Sequence, residues 1–300
     1  MKNCVCDLEK YDELNQSFRI IAFDWDGTAI ISRKEDISEL IIALKKLLKQ
    51  GIYLAVITGT NFENIDKQFS SHITGFCKKN LFICTNRGSE VFGFYENFQP
   101  VLLYRLNISD EENRLLDKTA EKTKFDLESN SSVKINIIYD RLNRRKLDLI
   151  PEWENPLKSE IGKLIIETDK RLKTGGFKEG IKGAFDLAEN NAWLLGLNKA
   201  KVTSDVKHIE VGMSDKSDSM KWILEHIAVP NKIPDKEILV LGDEFGPVAG
   251  FDGSDYKMVL KNHKEIKYFS VGKEPNGLPP EVKHLNGGPA CFLKLMQKIY

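Results

Sequence analysis

Three short apolar runs, RIIAFD at 19–24, IYLAVIT at 52–58 and EILVLGD at 237–243, each end abruptly in an acid or a hydroxyl. None alternates apolar with polar residues, so each has to be buried on both faces, as strands are in a parallel sheet covered by helices. Between the first two, ISELIIALKKLLKQ (37–50) places apolar residues at helical spacing, and Gly51 stands where a helix C-cap glycine belongs. A helix over 62–70 leads to another strand, LFICT at 81–85. Strand–helix–strand rhythm of this kind predicts an α/β fold with a doubly wound, Rossmann-like parallel sheet.

That rhythm breaks beyond residue 95. Strands are expected at 101–106, 133–139, 145–150 and within 200–211, and helices at 109–125, 157–172 and 180–195. A mixed region of roughly 110 residues has the size of a small domain rather than of a loop. The earlier rhythm returns with a helix near 217–228, the strand ending at Asp243, strands near 256–260 and 266–271, and a closing helix near 290–299. The expected organisation is an N-terminal extension (1–18), a discontinuous core (19–97 and 207–300) and an inserted α+β cap domain (98–206).

Charge excludes several partners. Forty-four basic residues balance forty-four acidic ones, so no global field favours nucleic acid or an anionic membrane. The start, MKNCVCDLEKYDELN, has no apolar leader, and no run of about 18 apolar residues follows it. The cysteines (Cys4, Cys6, Cys77, Cys84, Cys291) are odd in number and scattered, a pattern that predicts reduced thiols and a cytoplasmic protein. His72, His208, His226, His263 and His284 lack metal-ligand spacing, so surface or packing roles are expected of them, and packing of Trp222.

Chemistry concentrates in FDWDGT, residues 23–28. Ligands of open α/β sheets sit at the carboxyl ends of strands, so Asp24 and Asp26 are placed to face a crevice. Two acids two residues apart point the same way while the backbone stays extended. Gly27 permits the turn that follows, and Thr28 can bond local backbone. A carboxylate can attack phosphorus to form an acyl phosphate, and a second acid can protonate the leaving oxygen and then take a proton from water. The bland alternative is an acidic strand end before an Asx turn.

FDWDGT resembles the first motif of the haloacid dehalogenase superfamily, and further segments match its remaining motifs in order. AVITGT offers Thr58 as the hydroxyl, VGMSDKSDSMKWILEH offers Lys216 ahead of a helix with Lys221 as a rival, and ILVLGDEFG offers Asp243. The resemblance implies that Asp24 is the nucleophile and Asp26 the acid–base. It further implies that Thr58 and the amide of Gly59 donate to phosphate, and that Lys216 is a fixed cation. Mg²⁺ would be held by Asp24, Asp243 and the Asp26 carbonyl. A second acid usually follows closely; here Asp255, Asp252 and Glu244 are the candidates, and Asp255 requires a local insertion. Thr60 and Asn61 stand where relatives often carry TGR.

The inserted region follows ICTNRGSEVFGF, which resembles the strand before the cap in Cof-type sugar phosphatases and other members with large α/β caps. There Asn86, Arg87 and Glu90 are crevice-rim candidates or turn formers. Arg141, Arg144, Arg145 and Lys146 form either an anion clamp or solvated charges at a hairpin turn. KTGGFKEGIKGA (173–184) reads as a mobile cap loop and lacks a P-loop pattern. The implied activity is hydrolysis of a small phosphorylated metabolite, such as a sugar phosphate, through a phospho-aspartate. A phosphomutase using the same aspartyl chemistry is the alternative. A catalytically silent binding protein is disfavoured because all the motif residues are present.

Overall fold

A computed structural model describes residues 6, 8–95, 97–129, 131–153 and 161–299. The chain divides into two compact units, one of Met1–Arg105, Lys216–Gly246 and Asp255–Tyr300, the other of Leu106–Asp215 with Pro247–Ser254.

The first unit is built on strands β1 (Ile20–Asp24), β2 (Tyr53–Ile57), β3 (Leu81–Thr85), β4 (Glu90–Phe94), β5 (Pro100–Arg105), β10 (Ile238–Gly242), β11 (Lys267–Ser270) and β12 (Val282–His284). They form one sheet in the order β12-β11-β10-β1-β2-β3-β4-β5. Pairing is parallel from β12 to β3, and the hairpin of β4 and β5 adds antiparallel strands at one edge. The non-alternating runs now have their reason. Ile21, Phe23, Leu54, Val56, Leu239 and Leu241 pack on one face, while Ile20, Ala22, Ala55, Ile57, Ile238 and Val240 pack on the other. Helix α1 (Ser38–Lys49) lays Leu40, Ala43, Leu44, Leu47 and Leu48 against the first face, a stripe at three- and four-residue spacing. Gly51, at φ 85°, ends that helix in the left-handed conformation a glycine accepts. Helices α2 (Phe62–Gln68) and α7 (Gly288–Lys298) join α1 there, and α6 (Lys216–Ile223), continued by a π turn over Leu224–Ala228, covers the opposite face. The strand order reverses between β1 and β10, the switch point at whose carboxyl ends ligands of open α/β sheets bind.

The second unit pairs β6 (Asn136–Arg141), β7 (Arg144–Asp148), β9 (His208–Gly212) and β8 (Lys201–Ser204) in that spatial order, all antiparallel. Helices α3 (Asp110–Ser129), α4 (Ile161–Thr174) and α5 (Gly180–Leu194) cover one face through Leu116, Leu127, Leu164, Leu172, Ile181 and Ala188 against Leu147, Ile209 and Val211. Val248 and Phe251 also belong to this apolar cluster, and the Phe251 ring stacks on Phe185 at 4.9 Å.

Several expectations need correction. The units divide at 105/106 and 215/216, not at 97/98 and 206/207, because β5 pairs with β4 and β9 pairs with β7. The strand expected near 256–260 is a 3₁₀ turn, Ser254–Met258. The glycine-rich stretch 173–184 is mostly helix, the end of α4 and the start of α5 joined by a short turn over 175–179. The thiols are not all reduced, since Cys6 is disulfide-bonded to Cys291 while Cys77 and Cys84 are free; Cys4 lies outside the described residues. Among the described residues, no helix is long and apolar enough to cross a membrane.

Candidate active site

Asp24 closes β1 and lies 3% exposed. The next residue, Trp25, turns into the apolar core and donates its indole N–H to Gln68 Oε1 at 3.1 Å. Gly27, at φ 97°, lets the chain reverse, with the Gly27 N–H bonded to Ile30 O and the Ala29 and Ile30 N–H groups bonded to Trp25 O. This tight turn brings the Thr28 hydroxyl 3.0 Å from Asp243 Oδ1 and 3.4 Å from Asp24 Oδ2. Thr28 therefore joins two carboxylates rather than capping local backbone.

Lys216, the first residue of α6, is buried and reaches Asp24 Oδ1 at 2.6 Å and also Asp255 Oδ1. The rival, Lys221, is exposed and lies 3.9 Å from Asp218. Asp255 is fully buried, and its Oδ2 accepts the N–H groups of Asp243 at 2.8 Å and Glu244 at 3.0 Å. Of the three candidates for the second acid, the structure brings Asp255 to the lysine. Glu244 is buried in the same loop, and exposed Asp252 belongs to the second unit.

Asp26 is placed differently from its neighbour. Its carboxylate is gripped by Arg33, with Nε at 2.9 Å and Nη2 at 2.7 Å. Hydrogen bonding to Asp26 raises the Arg33 guanidinium further above its ordinary value, against the effect of burial. Sequence reasoning missed Arg33, because only the turn after Gly27 reveals that a residue seven positions on folds back onto the acid.

Register carries Thr58 to the same edge. Asp24 pairs with Ile57 across β1 and β2, so Thr58 follows directly beside it. Thr58 is 1% exposed, with its N–H on Cys84 O and its carbonyl accepting the Arg87 N–H. Asn86 N–H bonds Thr60 O, lacing the two loops together. Both Asn86 (φ 50°) and Arg87 (φ 53°) are left-handed, a conformation that asparagine tolerates and arginine adopts at a cost. Arg87 lies across Gly59, where an added Cβ would meet its Nε at 3.4 Å. Glu90 holds this turn in place by accepting from Asn86 at 2.7 Å and from Arg105 Nε at 2.9 Å.

The basic cluster of the second unit divides by strand alternation. Arg144 Nη1 and Lys146 Nζ each lie 2.6 Å from Glu210, and Arg144 Nη2 also donates to Ser214 O. Arg145 points to the helix side, to Asp117 Oδ1 and to Asn113 at 2.8 Å. Arg144 and Arg145 are buried, not solvated at a hairpin, and the three cations do not form one clamp. His208, expected at the surface or in packing, sits in a charged group with its Nδ1 3.0 Å from Asp205. Burial pushes the Asp205 carboxyl up, but His208 and Lys146 overcome this and hold it at about 2.

Asp24, Asp243 and Asp255 each offer a carboxylate oxygen within 4.8 Å of the others. An all-oxygen donor set of this kind fits a hard divalent cation such as Mg²⁺. Asp255 is also engaged by Lys216 and two backbone N–H groups, while Asp24 and Asp243 share the Thr28 hydroxyl and Asp24 also meets Lys216.

No protein-family model matches the sequence, and no curated protein matches it. Solved structures do match the fold. An N-terminally truncated IMP-nucleotidase of Plasmodium falciparum superposes with a TM-score of 0.57 at 15% identity, over 96% of this chain and 72% of that one. Its IMP-bound form gives 0.57 at 14% identity, over 95% and 70%. Trehalose-6-phosphate phosphatase of Aspergillus fumigatus gives 0.56 at 14% identity, over 95% and 93%. At such identities the likeness is one of fold.

Proposed function

We propose that this chain, which has the fold of the haloacid dehalogenase phosphatases, is a Mg²⁺-dependent phosphatase of a small phosphomonoester. One observation carries the reading: Lys216 bonds both Asp24 and Asp255, while Thr28 ties Asp24 to Asp243. The carboxylates of Asp24, Asp243 and Asp255 and the Lys216 cation thus meet beyond the ends of β1 and β10.

In the proposed reaction, an Asp24 oxygen attacks phosphorus as the bond from phosphorus to the substrate's leaving oxygen breaks. Asp26 gives its proton to that oxygen and then takes one from the water that attacks the phospho-aspartate. Cleavage of the phosphorus–oxygen bond to Asp24 releases inorganic phosphate and restores the carboxylate. For both transfers Asp26 has to exchange Arg33 for the reacting oxygen. Lys216 offsets the charge that the nucleophile and the phosphoryl group bring together, and Thr58 and the Gly59 amide would donate to phosphoryl oxygens. Bound Mg²⁺, held by Asp24, Asp243 and the Asp26 carbonyl, would supply further charge neutralisation.

Two of the structural neighbours are a nucleotidase and a sugar-phosphate phosphatase. The test is therefore a phosphate-release panel of sugar phosphates and nucleoside monophosphates with Mg²⁺. Activity is expected from the native chain, abolished in Asp24→Asn and by EDTA, and restored by added Mg²⁺. Phosphate returned to another hydroxyl of the same sugar, with none released, would mark a mutase. Full turnover in Asp24→Asn would end the aspartyl mechanism.

A further inference from the structure

The loop that follows β10 presents the N–H groups of Asp243, Glu244, Phe245 and Gly246 to two carboxylates. Asp255 Oδ2 accepts the first two, as described. Glu274 accepts the other two, Phe245 N–H on Oε1 at 2.9 Å and Gly246 N–H on Oε2 at 2.8 Å. Ser270 Oγ donates to Glu274 Oε1 at 2.6 Å and accepts the Gly272 N–H at 3.1 Å, which fixes the acid from behind.

Backbone fit is close on both sides of this clamp. A Cβ on Gly246 would lie 2.1 Å from Gly277 O and 2.7 Å from Glu274 Oε2, and one on Gly272 would lie 1.9 Å from Asp243 O. Glu274 itself is left-handed, at φ 46°, although it precedes Pro275, which favours extended backbone. Glycine would suit that conformation at lower cost. A residue kept there against its own backbone preference points to its side chain as the reason.

We infer that Glu274 is a positioning residue for the phosphoryl-transfer site, holding the loop of Asp243 so that its carboxylate meets Asp24. The inference rests on the proposed function for its consequence, and on these hydrogen bonds for its geometry. Loss of the clamp would leave two amides of the loop without acceptors and let Asp243 turn away from Thr28 and Asp24. Burial, with the nearby Asp255 charge adding to it, raises the Glu274 carboxyl, and Ser270 and the two amides act against that rise.

The test compares Glu274→Gln, which keeps the shape but only one acceptor, with Glu274→Gly, which also relieves the backbone. Mn²⁺ binding is measured by the electron spin resonance of the free ion, alongside thermal melting and phosphate release. Asp243→Asn serves as the control that loses binding. Both Glu274 variants are expected to melt within a few degrees of the native chain, yet to bind Mn²⁺ about tenfold more weakly, as disruption around a ligand typically does. Unchanged Mn²⁺ affinity in a folded Glu274→Gly would overturn the inference. Native chain that binds Mn²⁺ through Asp243 but releases no phosphate would instead sink the phosphatase reading, and the binding comparison would still decide the role of Glu274.

Discussion

Asp26 meets Arg33 in a two-pronged ion pair whose side chains are 30% and 46% exposed. Exposed pairs of this kind contribute at most about 1 kcal/mol to stability, whereas loss of general acid–base catalysis costs about 10²–10⁴-fold in rate. Asp26→Asn should therefore melt close to the native temperature while turning over 10²–10⁴-fold more slowly. Thermal melting and phosphate release on the same preparation check this, and native-like turnover would remove Asp26 from the reaction. Sequence reasoning could place Asp24 and Asp26 at a strand end from local pattern. It could not see Arg33 or Glu274, because neither belongs to a motif and each acts only through a turn that returns it to the site.

At the level of elements, the departure between Asp243 and Asp255 has a physical reading. The intervening residues 247–254 join the second unit, and Val248 and Phe251 enter its apolar cluster. Removing a buried phenylalanine ring costs about 3–5 kcal/mol. Phe251→Ala is accordingly expected to shift unfolding of the second unit to clearly lower denaturant, followed by fluorescence or hydrogen exchange. An unmoved midpoint would show that the ring contributes no packing there. The same unit carries a pH-dependent term. With the Asp205 carboxyl held at about 2 against an ordinary 3.8, its stabilising contribution is complete above pH 3.8 and disappears as pH falls toward 2. The difference in unfolding free energy between native chain and Asp205→Asn should close between pH 4 and 2, as read from denaturant melts at each pH. A difference that stays flat across that window would contradict the ion pair with His208.

For the whole molecule, the bond from Cys6 to Cys291 joins positions 285 residues apart. Constraining the unfolded chain in this way stabilises by about 2–4 kcal/mol. Cys291→Ser, or thiol reduction of the native chain, should lower the denaturant midpoint, and reductant should have no further effect on the variant. Peptide mapping without reductant that finds both cysteines as free thiols would refute the linkage. Composition predicted the opposite state for these residues, since an odd, scattered set of cysteines carries no record of which pair the fold brings together.

The amino-acid sequence alone predicted most of the strands and helices and the strand ends beside which Asp24, Thr58 and Asp243 lie, because apolar periodicity and glycine placement act over a few residues. It also told that a second unit interrupts the first, from the length over which the α/β rhythm fails. Tertiary structure alone decided that Asp255, rather than Asp252 or Glu244, meets Lys216, and that Arg145 leaves the face shared by Arg144 and Lys146. It also decided that β5 and β9 lie on opposite sides of the boundaries the pattern implied. Those outcomes depend on strand register and on burial between segments far apart in the chain, where a shift of one residue reverses which side chains meet.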